Sequence, residues 1–330
     1  MEKGLVSIIT PCYNTGHLIH RLLDSILNQD YTNIELFVMD DGSTDNSKEV
    51  IASYIPAFEE KGYSLTYVYQ DNSGQSAAIN NALKFVNGEF LVWPDSDDYY
   101  AYSNVISRFV QILENSDETT GMVRCLPSFI DEFTLKPLNN NYPLIQKYND
   151  CLFEPCLFHE ENFWFGAGDY MVKMNVLDKC ISQRTIYTAK DAGQNWQLML
   201  PVLYKYRCIT ISERLYNVLA RNDSHSRGQY KTFEQQCIKF DTYEKTLLAT
   251  IGSISKQFEV DLSHYEAQIK CKYGQIKLKL CVRYSKFKKY NYYLKKLKES
   301  KCDLTFPEKM KNIILLIIPY KVFLFLRRII

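Results

Sequence analysis

Asp95-Ser96-Asp97-Asp98 places three carboxylates within four residues, directly after the apolar run Phe90-Leu91-Val92-Trp93. Carboxylates this crowded repel one another, and at the end of a buried strand the repulsion favours a bound cation with hard oxygen ligands, Mg²⁺ or Mn²⁺. Such an ion bridges protein and phosphate oxygens and neutralises charge that develops on a leaving diphosphate. The same residues would also suit a solvated acidic turn with helix-capping aspartates. A second acidic loop, Asp40-Asp41-Gly42, follows Ile34 to Met39. A carboxylate there can accept from a nucleobase N–H or ribose hydroxyls, and Gly42 lets the backbone turn sharply. Capping accounts for Asp45 better than for Asp41. Further along, Arg221-Asn222-Asp223-Ser224-His225-Ser226-Arg227 concentrates hydrogen-bond donors. Arg221, Ser224 and Ser226 match diphosphate oxygens, and a neutral His225 would complete a metal shell begun by Asp98; the alternative is a basic surface loop. Phe163-Trp164-Phe165 suits either core packing or stacking on a sugar or lipid.

The elements that must position these loops follow a repeating unit. Leu5 to Ile9 reads as a buried strand, and Leu18, Ile19, Leu22, Leu23, Ile26 and Leu27 fall on one helix face. Ile34 to Met39 is a second strand, followed by a helix through Tyr54 that Ser43 or Thr44 can cap. Leu65 to Tyr69, Ser76 to Val86 and Phe90 to Trp93 continue as strand, helix and strand. This alternation predicts an α/β fold with a mainly parallel, Rossmann-like sheet flanked by helices, whose ligands sit at the carboxyl ends of the strands. Beyond Ala101 the pattern predicts a helix to Leu113, a strand near Met122 to Leu126, a helix from about Asn195 and a strand around Cys208 to Ile211. Neither a Gly-x-Gly-x-x-Gly after the first strand nor a Gly-x-x-x-x-Gly-Lys-Ser/Thr occurs, which weakens dinucleotide-binding and P-loop readings.

Val6-Ser7-Ile8-Ile9-Thr10-Pro11-Cys12-Tyr13-Asn14, Ser25-Ile26-Leu27-Asn28-Gln29, Asp40 to Asp45, Asn72-Ser73-Gly74-Gln75-Ser76-Ala77-Ala78-Ile79-Asn80 and Asp95 to Asp98 together resemble family 2 glycosyltransferases of the GT-A fold. The resemblance is strong over residues 5 to about 100 and thinner to about 228. It implies inverting transfer of a sugar from a nucleotide donor, usually a UDP-sugar, to an acceptor hydroxyl with a divalent metal. By position, Pro11, Tyr13 and Asp41 would cradle the base, with Asn14 and Asn72 in the same nucleotide-binding loops. Asp97 would hold the ribose, Asp98 the metal, and Asp95 begins the Asp-x-Asp element. The family's arginine in the third motif falls at Ile79, which weakens any side-chain phosphate contact from that helix. Its Glu-Asp pair, whose aspartate is the catalytic base, is replaced by Gln194-Asn195. An asparagine cannot take a proton, so Asp191 is the first candidate base and Asp169, in Phe165 to Tyr170, the second. A nucleotidyltransferase would open with a Gly-rich loop that is absent, while a catalytically degenerate membrane-bound scaffold remains an alternative because of Asn195 and Ile79.

The 330 residues carry 39 Lys+Arg and 38 Asp+Glu, a formal net charge of +1, which argues against nucleic acid as a partner. The balance hides a division: residues 265–330 hold 17 Lys+Arg against 4 Asp+Glu, leaving −12 for residues 1–264. We therefore expect a catalytic domain over 1–228, with a nucleotide-sugar half to about 100 and an acceptor half beyond, and a helical, basic region over 229–330. From Ile269 through Tyr273, Ile276, Leu280, Tyr284 and Phe287 the spacing predicts a basic amphipathic helix. Ile313 to Leu326 is too short and interrupted for a span of roughly 20 apolar residues, so the expectation is an interfacial anchor on an anionic membrane. The alternatives are packing on the catalytic domain or a homodimer. The ten cysteines lack a Cys-x-x-Cys pair and are expected reduced and mostly buried. With no signal-like apolar run near Leu5, the expected location is cytoplasmic, peripheral on the inner face of the plasma membrane, with a glycan or lipid-linked acceptor.

Overall fold

The computed structural model describes residues 1–138, 151–159, 163–164, 166–221, 230–300 and 302. The chain divides into two compact units, residues 1–221 with 256–258, and residues 222–255 with 259–330.

The first unit alternates β1 (Glu2–Cys12), α1 (His20–Leu27), β2 (Ile34–Asp41), α2 (Ser47–Lys61), β3 (Ser64–Gln70), α3 (Gln75–Leu83) and β4 (Gly88–Val92). There follow β5 (Tyr99–Tyr100), α4 (Val105–Glu114), β6 (Thr120–Asp131), α5 (Phe153–Phe158), β7 (Tyr170–Lys173), α6 (Met174–Cys180), α7 (Asn195–Lys205) and β8 (Arg207–Ala220). One eight-stranded sheet has the order β3-β2-β1-β4-β7-β6-β8-β5. Its first four strands run parallel. β7 is antiparallel to β4 and β6, β6 is parallel to β8, and β5 is antiparallel to β8. The result is an α/β, GT-A architecture whose first half is parallel and whose second half is mixed.

The parallel half forms because its strands are apolar on both faces. Val6, Ile8 and Ile9 of β1 and Leu36, Val38 and Met39 of β2 have no exposed surface, and Leu22, Leu23 and Ile26 bring α1 onto this core. α2 runs past the expected Tyr54 because Phe58 reaches the same core, and it stops where Gly62 takes a left-handed φ of 80°. Its entry is closed by Asp45, whose Oδ1 accepts from Ser47 N, rather than by Ser43 or Thr44. β5, β7, α5 and α6 were not expected; none exceeds seven residues, too few to display a period. Phe163 and Trp164 are core residues flanking the buried guanidinium of Arg124, which lies 4.9 and 4.0 Å from their rings. Stacking on a sugar is therefore not open to these two.

In the second unit the described residues form α8 (Phe233–Phe258, its last turn assigned to the first unit), α9 (Ser263–Arg283) and α10 (Phe287–Glu299). The single basic helix expected here is broken at Tyr284–Lys286, where Ser285 has φ 54°. Leu278, Leu280 and Cys281 of α9 cluster with Phe233 and Cys237 of α8 and Tyr290 and Leu297 of α10. The apolar face of this basic helix is thus taken up by helix packing within the unit. Lys277, one of the basic stripe, is buried against Asp241 and Glu244. A Cys271–Cys302 disulfide joins α9 to the residues after α10, which corrects the expectation that all ten cysteines are reduced. The other eight are free, and all but Cys151 are buried. Among the described residues no helix is long and apolar enough to cross a membrane. Residues 313–328 lie outside them.

Candidate active site

Four loops emerge at the carboxyl ends of β1 to β4 and are tied to one another by side chains. After β1, Asn14 has φ 52°, donates its backbone N–H to Ser43 Oγ (2.9 Å) and accepts from Thr44 N (2.8 Å). Gly16 N donates to Asp45 Oδ2 and Thr15 Oγ1 to Ser96 Oγ, both at 3.0 Å, which links the β1 loop to those after β2 and β4. Pro11 lies buried in β1 opposite Met39, whereas Tyr13 is 52% exposed at the loop surface. The ring of Tyr13 is therefore available to a planar ligand, and Pro11 is not.

Asp41, buried at the end of β2, accepts from Gln70 Nε2 (2.7 Å), Ser73 N (2.8 Å) and Gly74 N (2.8 Å). Asn72 Nδ2 donates to the Asp41 carbonyl at 2.9 Å. A carboxylate has about four acceptor directions, so the protein already uses most of those on Asp41. Its first task is to shape the loop that starts α3, and one direction is left for a ligand. Gly74, with φ +92°, is required there: a Cβ would stand 2.2 Å from the Lys190 carbonyl. The turn before α7 is thus pressed against this loop, and Ser76 Oγ donates to Ala192 O at 2.5 Å.

The acidic loop after β4 is the electrostatic centre. Asp98 is buried and its Oδ1 accepts from Leu219 N at 2.8 Å. Burial, then the charges of Asp97 and Asp95, push its carboxyl well above the usual range. Asp95 keeps part of its surface exposed, but the cleft walls desolvate it and, with the Asp97 charge, push it up to about 7; Gln194 Nε2, 3.4 Å away, opposes this weakly. Asp97 is differently placed, since Arg221 donates to its Oδ2 through Nε (3.1 Å) and Nη2 (2.7 Å). Among the described residues no group of three or more His, Cys, Asp or Glu could enclose a metal ion. Asp95 and Asp98 nevertheless fit one side of an open Mg²⁺ or Mn²⁺ shell, because both are oxygen donors whose ionised forms a cation would stabilise. His225, Ser224 and Ser226 lie outside the described residues.

The two candidate bases separate. Asp191 is exposed, on a turn closed by Ala192 N donating to Ala189 O. Asp169 has no exposed surface, and burial raises its carboxyl well above the usual range although Arg124 opposes this. Its Oδ1 accepts weakly from Cys125 Sγ at 3.8 Å and its Oδ2 is unpaired. Enclosed by β6 and the Gly166 turn and held neutral, Asp169 is not placed to take a proton from a solvent-borne hydroxyl, which corrects its candidacy. The two amides that replace the expected acid pair are wired to the acidic loop: Gln194 reaches Asp95, and Asn195 Oδ1 accepts from Trp93 Nε1 at 3.0 Å. Sequence reasoning noticed these amides only as a loss; their partners lie 99 and 102 residues away.

Fold and site together define an α/β scaffold of the GT-A type with an acidic loop at its switch point. The profile of the "Glycosyl transferase family 2" matches residues 7–180, more than half of the chain, and the chain belongs to that family. An uncharacterized glycosyltransferase of Rickettsia typhi is 37% identical over 128 residues, 39% of this chain and 38% of the relative. The UDP-Glc:alpha-D-GlcNAc-diphosphoundecaprenol beta-1,3-glucosyltransferase WfgD of Escherichia coli is 35% identical over 116 residues, 35% of this chain and 44% of WfgD. The matches thus span less than half the length of these relatives. Staphylococcus aureus TarS residues 1–349, solved with UDP-GlcNAc, shares the fold at TM-score 0.56 and 17% identity, covering 90% of this chain and 89% of TarS.

Proposed function

We propose that this chain is an inverting, metal-dependent glycosyltransferase that moves a sugar from a UDP-sugar to an acceptor hydroxyl on a lipid-linked or surface polysaccharide precursor. The observation that carries the reading is the pair Asp95 and Asp98, both pushed toward the protonated form after β4, with Arg221 held on the neighbouring Asp97. Asp98 and Asp95 would hold Mg²⁺ or Mn²⁺, which when bound neutralises the diphosphate. Tyr13, Asn14, the free acceptor direction of Asp41, and Asn72 would receive the nucleoside. Asp97 would face the ribose, with Arg221 turning toward diphosphate oxygens. The acceptor oxygen attacks the anomeric carbon opposite the diphosphate, the carbon–oxygen bond to the diphosphate breaks, and Asp191 takes the hydroxyl proton. Support for a UDP-sugar comes from TarS, whose structure holds UDP-GlcNAc, and for a lipid-linked acceptor from WfgD, named for a diphosphoundecaprenol substrate.

The test is a thermal-shift screen of nucleotide sugars with and without Mn²⁺, since specific binding raises the melting temperature with affinity. Asp98→Ala should abolish the Mn²⁺-dependent shift with UDP-sugar, and an unchanged shift would overturn the metal assignment. A non-catalytic scaffold is the second reading, favoured by Gln194 and Asn195 standing where a base is expected. Transfer that vanishes in Asp191→Asn and persists in Asp169→Asn excludes it.

We further propose a cytosolic, peripheral location in which α10 contributes charge rather than an apolar face. Lys286, Lys288, Lys289, Lys295, Lys296 and Lys298 are all exposed, and each basic residue near an anionic leaflet adds about 1 kcal/mol. Binding to phosphatidylglycerol vesicles that disappears at high salt supports this. Absence of vesicle binding together with a dimer in sedimentation would assign the region to self-association.

A further inference from the structure

A cavity of about 550 Å³ opens beside α1, lined by His20, Arg21, Asp24, Asn28, Tyr99 and Tyr102 among others. Its size is that of a small-molecule site. The lining is braced from behind: buried Gln29 donates through Nε2 to the carbonyls of Ser25 (2.9 Å) and Tyr102 (2.8 Å), and its Oε1 accepts from Ile106 N (3.0 Å). Tyr100 N donates to Ser25 Oγ at 3.1 Å and Asp30 N to Ser103 O at 2.8 Å, so the 99–103 wall is pinned to α1 at several points. A space framed this way is preorganised rather than a packing defect.

The lining has an unspent charge. Among the described residues the Arg21 guanidinium has no hydrogen-bond or ion-pair partner, although Asp24 sits one turn further along α1. Asp24 instead accepts from Tyr54 O–H at 2.9 Å. Tyr102 is 60% exposed and offers a flat ring to a sugar face, while Asn28, His20 and the second Asp24 oxygen offer donors and acceptors for hydroxyls. One wall, Tyr99, directly follows Asp98, so the cavity adjoins the acidic loop through the chain itself.

From this lining we propose that the cavity binds a saccharide carrying an acidic group, a carboxylate or a phosphate, with that group on Arg21 and the ring against Tyr102. Under the glycosyl-transfer reading, on which its role but not its existence rests, the occupant is an acidic unit of the acceptor glycan. The test uses the full chain and three probes, glucuronate, glucose 6-phosphate and inorganic phosphate, with glucose as the neutral control, and affinities measured by ligand-observed NMR titration. Glucuronate or glucose 6-phosphate should bind at least about tenfold more tightly than glucose, and Arg21→Gln should remove that difference. Tyr102→Ala should weaken all three sugars while keeping the preference for the two acidic ones. Equal affinity for glucose and both acidic sugars overturns the proposal, as does tighter binding of inorganic phosphate than of either sugar. UDP-sugar binding with Mn²⁺ is read in the same samples. Retained donor binding without Arg21-dependent sugar binding overturns the cavity alone; the reverse result supports the cavity and overturns the glycosyl-transfer reading.

Discussion

Asp41 is the residue whose two possible jobs, binding a nucleobase and shaping a loop, predict different outcomes. Its carboxylate accepts from Gln70 Nε2, Ser73 N and Gly74 N at 2.7 to 2.8 Å in a site that is only 5% exposed. Hydrogen bonds to a charged acceptor contribute about 1.5–3 kcal/mol each, and the three share one carboxylate, so the losses do not add. Asp41→Ala should therefore cost about 3 kcal/mol. With a urea dependence of about 2–3 kcal/mol/M, the unfolding midpoint falls by roughly 1 M. Two compact units need not unfold together, but the three tryptophans, Trp93, Trp164 and Trp196, all belong to the first. Tryptophan fluorescence in urea thus reports the relevant unit. Asp41→Asn keeps the shape and turns an amide N–H₂ toward a donor, and should lose about 1–2 kcal/mol. If Asp41 served only the nucleobase, both variants would match the parent in urea and lose only UDP binding. A loss under about 0.5 kcal/mol in Asp41→Ala would refute the clamp.

Gly74→Ala combines a left-handed φ with a 2.2 Å contact on the Lys190 carbonyl, so it should destabilise the first unit and lower transfer more than Gly62→Ala, whose Cβ meets nothing; urea midpoints and turnover compare them. Asp169 is raised by burial, so its stabilising contribution is full below the ordinary carboxylate range and is lost as pH climbs through its folded value. Urea midpoints measured from about pH 5 to about pH 8 should fall less steeply in Asp169→Asn than in the parent. Trp93 donates to Asn195, and Asn195→Leu leaves a buried indole N–H unpaired at a cost of about 1–3 kcal/mol, measurable as a lower melting temperature.

Much of the first hundred residues is legible because the information is local. Buried parallel strands are continuous apolar runs, and Asp95 to Asp98 and Asp40 to Asp45 sit in the loops those runs imply. What escaped was what depends on distant partners. Leu219 N reaches Asp98 across 121 residues and Gln194 reaches Asp95 across 99, and neither contact imposes a period on the sequence. Asp169 sits in a glycine-rich stretch of the kind that usually marks an exposed loop, yet Gly166 and Gly168 are there to admit the Asp169 carboxyl and the Tyr216 ring. The basic helix of the second unit makes a related point: an amphipathic pattern states that one face is covered without saying by what.

Arg221 enters the site already committed. Its two nitrogens converge on Asp97 Oδ2 and join side chains that are 14% and 20% exposed, so a phosphate oxygen recruiting the guanidinium would have to displace a carboxylate rather than water. Under the proposed function, donor binding would be an exchange of one anion for another, in which the net gain is the difference between two similar attractions. Such an exchange changes the net count of screened charge pairs little, so this contact should contribute selectivity for diphosphate over monophosphate while adding little to the salt dependence of affinity. Under the same proposal, Asp97 once released would turn its acceptors toward the ribose when a nucleotide is there to receive them.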